Sequence, residues 1–327
     1  MVEEIRSDLF RVKIPLPKSP LKYLNSYIVR SPDKALIVDT GLNRSECYEA
    51  MQQGLKHLDI DLARTDFFIT HLHADHFGLV SELITPSSRL YFNRQEVERM
   101  KTWGGWSSMV DYATENGFPK DEANNAMQQH PGFKFGAKWV PEISVVDNGD
   151  MIAVGDYQFE CVQTPGHTPG HTCLFETTHK IFMAGDHILD DITPNIQCWS
   201  DEMNPLKSYL ESLDRVYDLD IELVLPGHRR LIESHRDRIN QLKEHHQTRC
   251  DEIPRILKMG AMSAYEVASK MTWDIDSDSW ESFPLAQKWF AVGEAISHLR
   301  YMEKKRQLKR IIEDDHIRFA LNEQPAK

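Results

Sequence analysis

His71-Leu72-His73-Ala74-Asp75-His76 is the stretch from which the rest of this chain can be read. Asp66-Phe67-Phe68-Ile69-Thr70 precedes it and Phe77-Gly78 follows. Phe67, Phe68 and Ile69 form a short apolar, β-prone run, expected as a buried strand. The histidines are then expected on the loop leaving that strand, ahead of a helix that starts near Gly78. Imidazoles and a carboxylate this close together make a borderline-soft donor set, suited to zinc and related divalent ions. A tight loop can aim His71 and His73 one way and Asp75 and His76 another, so one stretch can serve two metals. The plainer reading is a histidine-rich surface loop, and residues further along decide against it.

Those residues are Pro165-Gly166-His167-Thr168-Pro169-Gly170-His171, Ala184-Gly185-Asp186 and Leu225-Pro226-Gly227-His228, with Val38-Asp39-Thr40-Gly41 upstream. Together with HxHxDH they resemble, in order, the motifs of the metallo-β-lactamase fold. The resemblance runs over roughly residues 9–235. It implies an αββα sandwich of two sheets flanked by helices. It also implies a ligand set: His71, His73 and His167 for one metal, Asp75, His76 and His228 for a second, and Asp186 bridging. Asp75, His76 and Asp186 are the residues expected nearest the chemistry. Asp39 supports the site from outside the ligand set; the plain alternative from residue type alone is a turn or helix cap. His171 and His187 adjoin ligands and are expected to orient them rather than bind metal. The implied cofactor is a pair of divalent transition-metal ions, zinc first, with iron or manganese as alternatives.

Two ions about 3.5–4 Å apart can share a hydroxide and stabilise the leaving group, with no serine or cysteine nucleophile. Departures from related patterns narrow the chemistry. Position 73 is His where oxygen-reducing diiron relatives carry Glu, which favours hydrolysis over redox. Asp186 is not Cys, unlike common zinc β-lactamases. Leu189 stands where similar lactonases place Tyr, and no glutathione-binding basic motif of the glyoxalase II type is recognisable.

Composition bounds the rest. At 327 residues the chain is expected to hold one large domain and one small one. Its formal net charge is −12. Residues 241–327 hold as many bases as acids, so the acidic surplus lies in 1–240. An acidic body disfavours nonspecific binding to a polyanion. The five cysteines are scattered without a CxxC pair, which reads as reduced thiols. No signal-peptide pattern or membrane-length apolar run is evident, so a cytoplasmic protein with no membrane partner is expected.

Residues 1–235 are expected to form the catalytic domain. Residues 93–140 read as a helical insertion rich in aromatics and methionine, including Trp103, Trp106, Met109, Tyr112 and Phe118. Such side chains at helical spacing are ordinary core or, functionally, an apolar lid forming a substrate pocket. Asn148-Gly149-Asp150 is expected as a hairpin turn. Residues 236–327 read as a helical appendage. Ser263 is its clearest N-cap, with Glu266 three residues later. Helices followed by a hairpin over 308–321 give a winged-helix-like order, which resembles the appendage of some hydrolases in this superfamily. The appendage is expected to pack on the body or to build a homodimer.

Three readings of function follow. The first is a dinuclear hydrolase that uses metal-bound hydroxide on a small-molecule acyl bond, in a thioester, ester or lactone. The second is a metal-dependent ribonuclease or phosphodiesterase, suggested by the tail and by Lys304, Lys305, Arg306, Lys309 and Arg310. The third is a noncatalytic binding protein that retains metal. The acidic body and the aromatic insertion favour the first.

Overall fold

A computed structural model of the protein describes residues 2–102, 104–275 and 277–322. Its backbone is a mixed α/β fold with the αββα organisation expected from the motifs. Seven strands form the first sheet in chain order: β1 (Val2–Arg6), β2 (Leu9–Pro15), β3 (Tyr23–Arg30), β4 (Ala35–Val38), β5 (Thr65–Phe68), β6 (Leu90–Asn93) and β7 (Ile143–Val146). The pairs from β1 to β4 are antiparallel, and those from β4 to β7 are parallel. The second sheet is built from β8 (Met151–Val154), β9 (Tyr157–Gln163), β10 (Thr172–Glu176), β11 (Ile181–Gly185) and β12 (Leu223–Pro226), in the order β12-β11-β10-β9-β8.

Side chains alternate between the two faces of a strand, so one strand can feed two cores. Leu24 and Ile28 of β3 pack on the helix side of the first sheet. They meet Met51 and Leu55 of α1 (Ser45–His57), with Phe77 and Leu83 of α2 (Ala74–Phe77) and α3 (Val80–Leu83) in the same cluster. Tyr27 and Val29 point the other way, into a core shared with Phe159, Leu174, Met183 and Leu225 of the second sheet. Burying each such large side chain is worth about 1.5–3 kcal/mol, which holds the two sheets face to face.

Asn148-Gly149-Asp150 is not a hairpin turn. It joins β7 of the first sheet to β8 of the second, with Gly149 at φ 87°. The two-residue hairpin lies one strand later, at Gly155-Asp156, where Val154 pairs with Tyr157. A turn signal marks a reversal but not the partner, and β7 already has β6 beside it.

Two compact units divide the chain. The first comprises residues 1–102, 131–194 and 212–239, and contains both sheets; the second comprises 103–130, 195–211 and 240–327. The stretch 93–140 is thus shared. α4 (Arg94–Thr102) belongs to the first unit, and α5 (Gly105–Glu115) and α6 (Lys120–Gln129) to the second, while α7 (Pro131–Phe135) returns to the first. After α8 (Pro205–Tyr217) come α9 (His235–Leu257), α10 (Ala264–Ala268), α11 (Leu285–Lys304) and the hairpin β13 (Leu308–Glu313) and β14 (His316–Leu321). The hairpin turns on Asp314 and Asp315, both at positive φ, as a two-residue turn of matching twist requires. Ser263 and Glu266 form a reciprocal capping box at α10. No helix among the described residues is long and apolar enough to cross a membrane.

Candidate metal centre

The site gathers where strands end. β4 delivers Asp39, β5 delivers Thr70 and His71, β9 leads to the His167 loop, β11 delivers Asp186 and β12 delivers His228. The sheets are tied at this edge by backbone bonds. Thr172 N–H donates to Thr70 O at 2.9 Å and Asn25 N–H to Gly227 O at 2.7 Å, while within the second sheet Gly227 N–H donates to Gly185 O at 2.7 Å. Carboxyl ends of parallel strands are where α/β sheets carry their sites.

The HxHxDH stretch does not stay a loop as far as Gly78. It turns helical at Ala74, with His73 as N-cap and the amides of His76 and Phe77 both donating to His73 O. A helical turn rotates successive residues by about 100°, which is what separates the aim of Asp75 from that of His76.

Seven side chains converge. Ligand atoms of His71, His73 and His167 lie within 4.8 Å of one another, as do those of Asp75, His76 and His228, and those of His71, His76 and Asp186. His73 Nδ1 stands 3.0 Å from His71 Nε2 and 2.9 Å from His167 Nε2. Asp186 Oδ1 is 3.5 Å from both His76 Nε2 and His228 Nε2, and its Oδ2 is 3.6 Å from His167 Nε2. Asp75 Oδ2 is 3.3 Å from His228 Nε2. The carboxylate of Asp186 therefore faces both groups.

The hydrogen bonds fix which imidazole nitrogen carries a proton. His228 Nδ1 lies 2.8 Å from Tyr23 O, a carbonyl that can only accept, so this nitrogen carries the hydrogen. His76 Nδ1 likewise donates to Asp39 Oδ2 at 2.7 Å. Thr70 Oγ1 donates to Asp39 Oδ2, leaving its lone pair for His71 Nδ1–H at 3.0 Å. All three histidines consequently turn an Nε2 lone pair inward. His76 Nε2, His228 Nε2 and Asp186 Oδ1 are buried without a hydrogen-bond partner. Buried polar atoms left unpaired are costly, and three of them pointing at one another fit a cation. The donor set thus suits the divalent ions that the motifs imply.

Electrostatics agree. Burial, aided by the neighbouring histidines, pushes His71 and His73 well below the ordinary histidine range and keeps them neutral. Burial works to raise Asp186, but His228, His76 and His167 outweigh it and hold the carboxyl well below its usual range. Burial opposes charge on His76 and His228 too, yet Asp186 and Asp75, with Asp39 beside His76, favour positive charge at both rings, and a cation bound at Nε2 would supply that charge in place of a proton. The same carboxylates would draw a metal.

His171 is turned differently. Its Nε2 accepts the Asp186 amide at 3.1 Å and its Nδ1 meets Thr164 Oγ1 at 2.8 Å. His187 is buried, and burial pushes it down to about 3. Arg230 pairs with Asp190 at 2.7 Å, and Arg229 donates to Pro20 O at 2.8 Å. Trp106, Met109, Tyr112 and Phe118 belong to the second unit. Phe118 is buried there between Tyr265 and Trp289, with ring centroids 5.1 and 6.0 Å away, and Tyr112 donates to Asp201 Oδ1 at 2.8 Å. Trp103 lies outside the described residues.

Several residues of the site escape sequence reading. A side chain at Gly227 would place its Cβ 2.6 Å from Asp186 Oδ1, and one at Gly185 (φ 47°) would come 2.8 Å from His171 Nε2. Both glycines sit inside the motifs, which was the available signal. Glu96 is fully buried on α4 and accepts the amide of Gly170, in the loop between His167 and His171, at 3.1 Å. Neither Glu96 nor the Tyr23 carbonyl carries any local sequence signal.

Residues 21–228 match the family model for the metallo-beta-lactamase superfamily. The chain belongs to that superfamily. Residues 250–322 match a second model, the metallo-beta-lactamase-like C-terminal domain. Among superfamily relatives, the chain is similar to the probable metallo-hydrolase YqjP of Bacillus subtilis, at 22% identity over 95% of this chain and 97% of the relative. It is 26% identical to the human acyl-coenzyme A thioesterase MBLAC2, over 62% of this chain and 72% of that protein. Of solved structures, the metallo-beta-lactamase family protein TTHA1429 from Thermus thermophilus superposes with a TM-score of 0.82 at 24% identity. That match covers 98% of this chain and all of the other.

Proposed function

We propose that the protein is a dinuclear metal-dependent hydrolase that opens the acyl bond of a small molecule, with a thioester first among candidates and an ester or lactone next. His71, His73 and His167 would hold one divalent ion, Asp75, His76 and His228 the other, and Asp186 would serve both. Zinc suits this mixture of imidazole and carboxylate. Bound there, the ions would supply Lewis acidity and a water acidic enough to act near neutral pH.

The observation that carries the reading is the inward lone pairs of His71, His76 and His228 facing the Asp186 carboxylate. The chain's own groups do the arranging. Asp39 and Tyr23 O fix two imidazoles in one tautomer, and His171 steadies the backbone at Asp186. Asp75 remains 19% exposed, so the group is open to a reactant on that side. A cysteine nucleophile is disfavoured: all five thiols are buried, and burial pushes Cys47, Cys198 and Cys250 up to about 11 and Cys161 to about 12. The similarity to a thioesterase supports the choice of acyl bond.

The test is a panel assayed with zinc-, manganese- and iron-loaded protein: acyl-CoA and glutathione thioesters, simple esters, lactones, phosphodiesters and single-stranded RNA. Turnover of an acyl compound that is lost with chelator and in Asp186→Ala is expected. Turnover of RNA alone would overturn the substrate class in favour of the nuclease reading.

A further inference from the structure

A second cluster of metal-ligating side chains lies entirely within the second compact unit. One ligand atom each from His245, His246 and Glu294 lies within 4.8 Å of the others. His245 and His246 sit on α9 and Glu294 on α11. No motif spacing in the chain marks these residues.

Their hydrogen bonds repeat the pattern found around His76 and His228. His298 Nδ1 lies 2.8 Å from Glu294 O, which can only accept, so the hydrogen is on Nδ1 and His298 Nε2 holds a lone pair. His246 Nδ1, 3.1 Å away, must then donate to that lone pair. This leaves His246 Nε2 as a lone pair, and it is buried without a partner. Glu294 is only 6% exposed. Its Oε2 accepts from Asn195 Nδ2 at 2.8 Å, while its Oε1 is buried without a hydrogen bond. His245 Nε2 stands 3.8 Å from that oxygen. His246 and Glu294 thus each have one polar atom engaged and a second buried without a hydrogen bond, the state in which a protein side chain is ready for a metal.

We propose that His245, His246 and Glu294 form a separate site for one divalent transition-metal ion. Two imidazoles and a carboxylate are a known three-ligand set for zinc, with the remaining position open to water. The neighbouring cation limits which metals fit. Arg249 Nε is 4.0 Å from Glu294 Oε1, and its guanidinium lies 4.2 Å over the Trp273 ring and 4.0 Å from Glu252. It offsets the single carboxylate charge. Calcium and magnesium, which need several oxygen ligands, are excluded; ions that bond well to imidazole are selected.

The experiment is metal counting on the full chain after titration with cobalt(II) or zinc, by elemental analysis and cobalt visible absorption. The wild type should hold one equivalent more than His245→Ala and Glu294→Gln, or bind it at least ~10-fold more tightly. Asp186→Ala, which strikes the first centre, should keep that equivalent. His245 has 32% of its side chain exposed, so its truncation leaves a foldable variant even where Glu294→Gln does not. Equal stoichiometry and affinity in folded wild type and His245→Ala would overturn the proposal, whatever the first centre holds.

Discussion

Asp39 Oδ2 lies 2.7 Å from His76 Nδ1, although 37 positions separate the two residues in the chain. The same carboxylate accepts both the amide and the hydroxyl of Thr70 at 2.9 Å. Asp39 adopts φ 60°, a left-handed conformation uncommon outside glycine but most tolerated by Asp and Asn. The carboxylate is thereby aimed back under the histidine stretch, at a cost of order 1–3 kcal/mol in backbone strain. Asn at position 39 has a single acceptor oxygen, so whichever way its amide turns, either the Thr70 amide or the Thr70 hydroxyl and His76 Nδ1–H would face an NH2 donor. Metal affinity is expected to fall about 10–100-fold with the fold retained. Competition with a chromogenic chelator measures this, and unchanged affinity would remove Asp39 from the site.

Gly227 is required by close approach. Alanine there would put a methyl group 2.6 Å from Asp186 Oδ1 and 2.9 Å from His76 Cε1. Since neither neighbour is the far end of a flexible chain, ligands must move. Gly227→Ala should show a native circular dichroism spectrum, clearly reduced metal content and little activity. Full metal loading would mean that the ligands give way without cost.

Asp186 and His171 separate by role. Asp186 faces both ligand groups, whereas His171 steadies the Asp186 amide. Asp186→Ala is expected to lose both metals and nearly all activity. His171→Ala should retain metal with weakened affinity. Equal losses in kcat/KM and metal content would show that the ligand assignment is wrong.

Glu96 holds the His167 loop by the Gly170 amide. Glu96→Ala leaves that buried N–H without an acceptor, a loss of about 1–3 kcal/mol. Glu96→Gln keeps an acceptor oxygen and should recover most of it. Urea denaturation of the two variants, alongside metal affinity, checks the claim; equal stability in both would refute it.

Ser263 accepts the Glu266 amide at 3.2 Å, and Glu266 accepts the Ser263 amide at 2.8 Å. Ser263→Ala should cost about 1 kcal/mol of stability without changing metal content. A loss of metal with no loss of stability would contradict a purely structural role.

Although it left β1 and β6 of the first sheet unread, the sequence by itself pointed to the superfamily and named the seven residues that the structure gathers. That was possible because metal ligands must be particular residue types, and because strand and helix periods write themselves into apolar spacing. What it could not determine were relationships between distant atoms. Asn148-Gly149-Asp150 announced a reversal, but only the tertiary structure decided that it crosses between sheets. The tautomers of His76 and His228 depend on Asp39 and on a backbone carbonyl at Tyr23, which any residue could have supplied. Glu96 looked like one charge among many on an exposed helix until folding buried it against Gly170. The same is true of His246 and His298. They lie 52 positions apart, and packing of α9 against α11 brings them to 3.1 Å, leaving a lone pair that no local pattern records. Residue type fixes what a side chain can donate or accept; only the packed chain fixes which partner it meets.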